Sequence, residues 1–342
     1  MSLCFKINLV IIKKRRTNAF HRKNLHSIYN LNIFGAQSQS KKDMAILQLD
    51  NVRKTYQKHV AVDNVSFSVP EGSIFGLLGP NGAGKTSIIR IITTITRADS
   101  GVVYLNGEKL NRTHPSQIGY MPEERGLYKK MKVGEHLLYL AQLKDMSKKE
   151  AQAKITHWFE KFEIMDWWDK KVEELSKGMQ QKIQFVATVV HEPKLLILDE
   201  PFSGLDPINT NLIKDEIREL QRKGTSIIFS THRMEQVEEV CEEIVLINQG
   251  KNVLNGKVDA IKNQFKENLF SINYVGELPQ GVVPDNIIIT NSLGELVVKL
   301  PDEKASNHLV NSLISKGLYL RSFNEILPTL NEIFIKKAGK NN

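Results

Sequence analysis

A glycine-rich octapeptide offers the clearest chemistry in this sequence. It fits the pattern G-x-x-x-x-G-K-[ST] and lies between a predicted buried strand, Ser73–Leu78, and a predicted helix that opens at Ser87. Glycines let a backbone wrap an anion at low steric cost, and loop amides together with a helix N-terminus favour phosphate. The predicted nucleotide-binding residues are Gly79, Pro80, Asn81, Gly82, Ala83, Gly84, Lys85, Thr86 and Ser87.

Two side chains of this loop are candidates for direct chemistry. A lysine in the position of Lys85 reaches the β- and γ-phosphates of a nucleotide, and the hydroxyl of Thr86 is a ligand for Mg²⁺. ATP and Mg²⁺ are therefore the expected cofactors.

A pair of adjacent carboxylates, Asp199 and Glu200, ends a continuous apolar run that starts at Lys194. Such a run is typical of a central parallel strand. Phosphoryl transfer to water needs a metal held in place and a group that orients and deprotonates the attacking water. Asp199 suits the metal shell, through a water molecule, and Glu200 suits the general base.

The elements that must position these residues alternate between strands and helices. This alternation predicts an α/β fold, a P-loop NTPase core with a mostly parallel sheet. An antiparallel β subdomain is predicted to surround the start of this core, and a helical insert to span about residues 124–190.

The motif content ends near Gly256. Short strand-like runs over 268–300, a strand over 319–323 and helices over 305–316 and 327–337 predict a small α+β appendage. We therefore expect two domains, an ATP-binding domain over 45–256 and an accessory domain over 265–340.

The basic charge of the chain is concentrated at its beginning. Nine Lys or Arg residues against a single acid, Asp43, give residues 1–43 a charge of +8, so that residues 44–342 carry only +1 of the total of +9. This balance gives no global electrostatic reason to expect nucleic-acid binding. We expect residues 1–43 to be a disordered basic extension upstream of a true start at Met44, or a disordered arm; an organelle transit peptide is the alternative.

The two cysteines, Cys4 and Cys241, exclude a disulfide framework and a cysteine-rich metal site. A reducing, cytoplasmic compartment fits this usage best. No apolar run approaches the ~18–20 residues that a membrane-spanning helix needs, so a role at a membrane requires a partner.

The order of motifs resembles that of the ATP-binding subunits of ABC transporters, over about residues 45–256. The motifs that carry the resemblance are Tyr56, Gly79–Thr86, Pro122–Gly126, Leu175–Lys182, Leu195–Glu200, Ser203–Asp206 and His232. The sequences of segments 122–128 and 175–181 are similar to those of the branch that includes sodium-efflux ATPase subunits. The C-terminal appendage resembles the extension found in that branch.

The resemblance implies further site residues. It implies that Tyr56 stacks on adenine and that His232 contacts the γ-phosphate and positions the attacking water. Ser176 and Gly178 would bind the γ-phosphate of a nucleotide held by a second subunit, as suits a hydroxyl and a bare backbone at a helix N-terminus. Asp206 would lie in the loop that crosses the dimer interface.

Two motifs depart from the family pattern. The family motif has Gly where Lys177 stands and Gln where Met179 stands. The loop that senses Mg²⁺ and the transporter usually carries Gln, but here it carries Glu123. A glutamate can also ligate Mg²⁺, although it brings negative charge near the phosphates.

The function implied is that of a transport ATPase. Two subunits, identical or related, would close around ATP and drive solute export, of sodium ion or a drug, through a separate polytopic membrane permease. The chain would then lie in the cytoplasm, peripheral on the inner face of the cell membrane. The alternatives are a soluble ABC ATPase acting on ribosomes or DNA, and an ATP-binding regulator without turnover.

Overall fold

The computed structural model describes residues 45–124 and 126–338. The predicted extension over 1–43 and the start at Met44 lie outside the described residues. The strands are β1 (Ala45–Tyr56), β2 (His59–Pro70), β3 (Ile74–Leu78), β4 (Ser100–Leu105), β5 (Glu108–Lys109), β6 (Ile118–Met121), β7 (Leu195–Asp199), β8 (Ser226–Thr231), β9 (Glu243–Asn248), β10 (Lys251–Lys257), β11 (Leu269–Val275), β12 (Ile288–Ser292), β13 (Glu295–Lys299) and β14 (Tyr319–Ile326). The α-helices are α1 (Lys85–Ile92), α2 (Val133–Gln142), α3 (Lys148–Lys161), α4 (Lys177–Val189), α5 (Pro207–Arg222), α6 (Met234–Val240), α7 (Val258–Gln264), α8 (Glu303–Ser315) and α9 (Leu330–Ala338).

A six-stranded sheet of order β10-β9-β3-β8-β7-β6 forms the centre of residues 45–257, which we call the cassette. All its pairings are parallel except that of β10 with β9. Strands β3 and β7 are buried at every position, as expected of apolar strands covered on both faces. This arrangement confirms the predicted α/β fold with a mostly parallel sheet.

The register of the parallel strands brings the chemistry to one edge. Leu78, which ends β3, pairs with Thr231 of β8, and Asp199, which ends β7, pairs with Ser230. Because the carboxyl ends of parallel strands meet at the same edge, the segments after these strands emerge side by side.

A second sheet, of order β2-β1-β4-β5, is antiparallel and forms the β subdomain. Tyr56 is the last residue of β1 and pairs with His59 across a tight turn. Gln57 takes a positive φ of 51° in this turn, so the chain reverses within two residues and the strand continues up to it.

The helical insert lies between β6 and β7 and contains α2, α3 and α4. Its three tryptophans are partly buried against the core; Trp158 contacts Phe162 and Phe185, and Trp168 contacts Phe159. Gly134 lies under the Trp168 ring, where an added Cβ would approach a ring carbon at 2.4 Å. The insert therefore shares its core with the central sheet.

The C-terminal segment contains an antiparallel sheet of order β12-β13-β11-β14, packed on α8 through Leu309 and Leu313. The closing helix was expected from Leu327 but begins at Leu330, since β14 runs on to Ile326 and Pro328 disfavours a helical residue before it. Helix α9 joins the core of the cassette through Leu330 and Ile333.

Candidate functional site

A cavity of about 270 Å³ lies at the carboxyl edge of the central sheet. It is lined by Tyr56, His59, Ala61, Asn81, Gly82, Ala83, Gly84, Lys85, Thr86, Ser87, Glu123, Asp199 and Glu200. Most of the residues proposed from sequence as nucleotide or metal ligands are thus brought together in one place.

The glycine-rich loop can take its path only with glycine at two positions. Gly79 has a φ of 149° and Gly84 a φ of 110°. A Cβ on Gly79 would come within 2.2 Å of the carbonyl oxygen of Ile247, and one on Gly84 within 2.3 Å of that of Ala61. The loop is therefore packed against β9 and β2 by its own backbone.

Helix α1 starts at Lys85 with no acidic residue in its first turn, so its amides carry uncompensated positive charge. The Lys85 ammonium donates hydrogen bonds to the carbonyl oxygens of Gly79 (2.5 Å) and Pro80 (3.1 Å). Burial lowers the pKa of Lys85, and the nearby carboxylates oppose that shift. Gly79 and Pro80 do not line the cavity, but their carbonyls hold the lysine that does.

Asp199 ends β7 as a buried carboxyl. Its Oδ1 accepts a hydrogen bond from the Ser230 hydroxyl at 2.7 Å, which fixes the side chain at the sheet edge. Burial raises the pKa of Asp199, the Ser230 hydrogen bond opposes this rise, and the charge of Glu200 adds to it. A bound cation would lower this pKa and favour the charged form.

The Glu200 side chain is fixed by hydrogen bonds from Thr231, which ends β8, and from His232, which follows it. Its carboxylate Oε1 accepts from the His232 amide (2.8 Å) and from His232 Nδ1 (2.6 Å), while Oε2 accepts from the Thr231 hydroxyl (3.0 Å). Its backbone has a φ of 50°, an uncommon value for a side-chain-bearing residue. A carboxylate has about four acceptor positions, so these three contacts leave room for a water molecule.

His232 does not line the cavity itself. Its side chain is 42% exposed beside the cavity and reaches Glu200 through Nδ1, which leaves Nε2 for another partner. The structure therefore places this predicted catalytic residue against the predicted base.

Tyr56 and His59 close one side of the cavity from the β1–β2 turn. The Tyr56 ring is 39% exposed, and Lys54 Nζ lies 5.5 Å from the ring centroid. Such an open aromatic face is suited to stacking on a base. His59 was not proposed from the sequence, although a two-residue turn after Tyr56 necessarily brings it opposite.

Three predicted ligands lie elsewhere in the chain. Ser176 is the N-cap of α4, where its hydroxyl accepts a hydrogen bond from the Met179 amide at 3.3 Å. Asp206 is the N-cap of α5 and accepts from the Asn209 amide at 2.9 Å. Neither residue nor Gly178 lines the cavity, so a single chain does not bring them to its own glycine-rich loop.

The donor set suits Mg²⁺ bound together with a nucleotide. Thr86, Asp199 and Glu123 share the cavity, yet among the described residues no group of three or more His, Cys, Asp or Glu side chains could hold a metal by itself. Mg²⁺ is usually bound through one or two carboxylates and completes its shell with phosphate oxygens and water. The residues present therefore fit a Mg²⁺ ion that arrives with its phosphates.

Within the described ranges, no helix has the length and apolar character needed to cross a membrane.

The chain is similar to known proteins along both of its parts. Residues 62–203 match the family described as ABC transporter, and residues 256–338 match the family described as ATP-binding protein DrrA1-3-like, C-terminal domain. The uncharacterized ABC transporter ATP-binding protein YhaQ of Bacillus subtilis (strain 168) is 44% identical over 295 residues, which cover 86% of this chain and 99% of that protein. The linearmycin resistance ATP-binding protein LnrL of the same strain is 30% identical over 313 residues, with 86% and 99% covered.

A solved structure of the ATP binding subunit of an ABC transporter is similar in fold. Its TM-score is 0.61 at 30% sequence identity, with 64% of this chain and 93% of that chain covered.

Sequence reasoning missed the residues that hold the site together. Ser230 and Thr231 support the two carboxylates, yet only the pairing of β7 with β8 makes them neighbours. Two buried glutamines of α4, Gln181 and Gln184, also contact the segments that flank the site. Their one signal is a polar side chain on the buried face of an amphipathic helix.

Proposed function

The chain belongs to the ATP-binding subunits of ABC transporters, an ATPase family, and we propose that it hydrolyses ATP as one half of a dimer that drives export through a separate membrane permease. The family predicted from the order of motifs is confirmed, including a C-terminal extension with a family model of its own.

One observation carries it: the glycine-rich loop, Asp199 and Glu200 line the same cavity, with His232 hydrogen-bonded to Glu200. A glycine-rich loop that served only as a turn would not require the buried Lys85 or the two buried carboxylates, Asp199 and Glu200, in the same cavity. Binding of phosphate and activation of water therefore have their groups within one cavity.

The phosphates of ATP would bind at the N-terminus of α1. The amides of the first helical turn would face an anion there, and Lys85 would exchange its loop carbonyls for the β- and γ-phosphate oxygens. The exposed ring of Tyr56 would stack on the adenine. Binding thus needs residues of one chain only.

Thr86, Asp199 and Glu123 would hold Mg²⁺. When bound, its positive charge would offset the negative charge of the phosphate oxygens. Asp199 keeps one oxygen bonded to Ser230 and has the other for the metal or for its water. Glu123 is exposed, two residues after the end of β6.

Glu200 would accept the proton of the attacking water. The hydrogen bonds from His232 and Thr231 keep its carboxylate in one orientation, which is the condition for efficient proton transfer. His232 would reach the γ-phosphate through Nε2.

A second subunit would complete the site. Ser176, Gly178 and Asp206 lie outside the cavity of their own chain, at or beside the N-termini of two helices. Helix α4 has no acidic residue in its first turn and carries Lys177 there, as suits a helix end that meets phosphate. ATP would therefore join two subunits, with each helix α4 facing the other subunit's glycine-rich loop.

Export through a permease at the inner face of the cell membrane is supported by similarity to a linearmycin resistance ATP-binding protein, LnrL, over nearly its full length. A drug-like solute or sodium ion is the proposed cargo. A soluble ATPase acting on ribosomes or DNA is the alternative class, and the near-neutral charge of residues 44–342 disfavours it.

The proposal is tested by Mg²⁺-dependent release of phosphate from ATP by the full chain, with Lys85→Ala as the inactive control, and by co-purification from membranes. We expect phosphate release that Lys85→Ala abolishes and a polytopic membrane protein in the purified complex. Sedimentation with ribosomes in place of a membrane protein would contradict the transport role.

A further inference from the structure

We propose that Gln184 is a positioning residue for the metal site, because its buried side chain fixes the peptide unit that carries Glu123. Gln181, one turn earlier on α4, does the same for the segment that follows Glu200. This inference rests on the proposed function and extends it to residues that make no contact with the cavity.

The two glutamines make equivalent contacts. Gln184 Nε2 donates to the carbonyl oxygen of Pro122 at 2.8 Å, and Gln181 Nε2 donates to that of Pro201 at 2.9 Å. Both side chains are nearly fully buried. Because residues three apart lie on one face of a helix, a single face of α4 holds both segments.

Each anchored proline is the neighbour of a proposed functional residue. Pro122 precedes Glu123, and Pro201 follows Glu200. The carbonyl of Pro122 and the amide nitrogen of Glu123 belong to the same planar peptide unit, so a bond to that carbonyl orients the backbone of Glu123. Since the Glu123 side chain is exposed, its position over the cavity depends on this backbone anchor.

Gln184 is not explained by folding stability. Its Oε1 is buried and, within the part of the chain that the structure describes, has no hydrogen-bond partner. An unsatisfied buried acceptor opposes folding, and this offsets what the bond to Pro122 contributes. An apolar side chain of similar length would fill the same space without the orphan oxygen, so the glutamine is better explained by what it positions.

Helix α4 connects this anchor to the proposed dimer contact. It begins directly after Ser176, and Gln180 Nε2 donates to the carbonyl oxygen of Leu175 at 3.0 Å, which fixes the entry to the helix. Consecutive turns of one helix therefore hold the partner-facing serine, the segment after the base and the segment with the metal ligand.

The test is Gln184→Met in the full chain, with Gln152→Met as the matched control. Gln152 lies exposed on α3 of the same helical insert. We would measure the Mg²⁺ concentration for half-maximal ATP hydrolysis, the affinity for Mn²⁺ in the presence of ATP by electron paramagnetic resonance, and the melting temperature.

We expect Gln184→Met to weaken Mn²⁺ affinity and raise the Mg²⁺ requirement by about fivefold, roughly the factor for one ordinary hydrogen bond. Its melting temperature should change little, because the variant removes the orphan Oε1 but also takes the donor away from the Pro122 carbonyl, and Gln152→Met should change none of the three values. Gln184→Leu serves as a second variant if methionine packs poorly.

An unchanged metal affinity would overturn the inference, whether or not the melting temperature falls. The Mn²⁺ measurement separates it from the proposed function: a parent chain that binds Mn²⁺·ATP but releases no phosphate contradicts hydrolysis alone.

Discussion

The two proposed halves of the nucleotide site differ in how the chain holds their residues. In the cavity half, Lys85, Asp199 and Glu200 are buried and each is hydrogen-bonded within its own chain. In the signature half, which we define as Ser176, Lys177, Gly178 and Asp206, the three residues with side chains are exposed. The first half is preorganised by the fold, whereas the second would need a partner subunit to complete a site.

Helices α1 and α4 also differ from the other helices of the cassette at their N-termini. Neither has an acidic residue at its N-cap or in its first turn, whereas α2 and α3 carry Glu135 and Glu150 in the first turn and α5 is capped by the Asp206 carboxylate. An acidic residue there neutralises the helix end, and its absence leaves the positive end for an external anion. The two helices that would contact phosphate therefore have no acidic residue to neutralise their positive N-terminal ends.

The largest effect is expected in the cavity half. Glu200→Gln keeps the size and the acceptor oxygen but removes the base, so turnover should fall by at least about 100-fold while ATP affinity changes by less than about threefold. Phosphate release and nucleotide titration on the same preparation measure the two values. Normal turnover in this variant would refute the role of Glu200.

A smaller effect is expected in the signature half, and the chain offers a matched control. Ser176 and Ser147 both cap helices of the same insert, by accepting from Met179 and Glu150 respectively. Replacing either by alanine should cost about 1 kcal/mol of stability. Only Ser176→Ala should also lower turnover, by about tenfold, since only that hydroxyl would meet the partner's γ-phosphate.

Equal turnover in the Ser176→Ala and Ser147→Ala variants would mean that Ser176 is a helix cap and nothing more. Thermal unfolding of both variants provides the common reference for the comparison.

The smallest effect concerns stability in acid, in the insert that carries part of the signature half. His136 of α2 is fully buried, neither ring nitrogen has a partner among the described residues, and burial lowers its pKa. The unfolded chain binds a proton at this histidine below about pH 6.5, whereas the folded chain resists it, so acidification favours unfolding.

The free energy of unfolding should therefore fall as pH drops below about 6.5, and His136→Phe should reduce that slope. Burial also lowers the pKa of His191, to about 4, so part of the slope should remain. Exposed His157→Phe on α3 is the control. Denaturant unfolding at several pH values tests this, and an unchanged slope in His136→Phe would contradict it.

Much of the cavity half could be predicted because its residues follow local patterns. The glycine-rich loop is a contiguous motif, and the run before Asp199 predicts a buried strand that ends in carboxylates. The residues that position the carboxylates and the loop after β6 could not be predicted in the same way. Ser230 lies beside Asp199 only through the register of β7 and β8, and Gln184 reaches Pro122 across a long separation in sequence.

Three short or edge elements, β6, β10 and α7, also could not be predicted from the sequence, for physical reasons. Strand β6 has four residues, too few for a period to be seen, and β10 alternates poorly because it lies at the edge of the sheet. Helix α7 has only seven residues. Whether residues 45–256 and 265–340 fold as separate domains stays a prediction, as does the role of each site residue.

The most direct test of the two-halves account is the molecular mass of Glu200→Gln with and without ATP, measured by light scattering during gel filtration. We predict that this variant binds ATP without hydrolysing it and doubles in mass. The double variant Glu200→Gln, Ser176→Glu should bind ATP equally well and remain a monomer, because the added carboxylate repels the partner's γ-phosphate. A double variant that still doubles in mass with ATP would contradict the claim that the signature half completes the site of a second subunit.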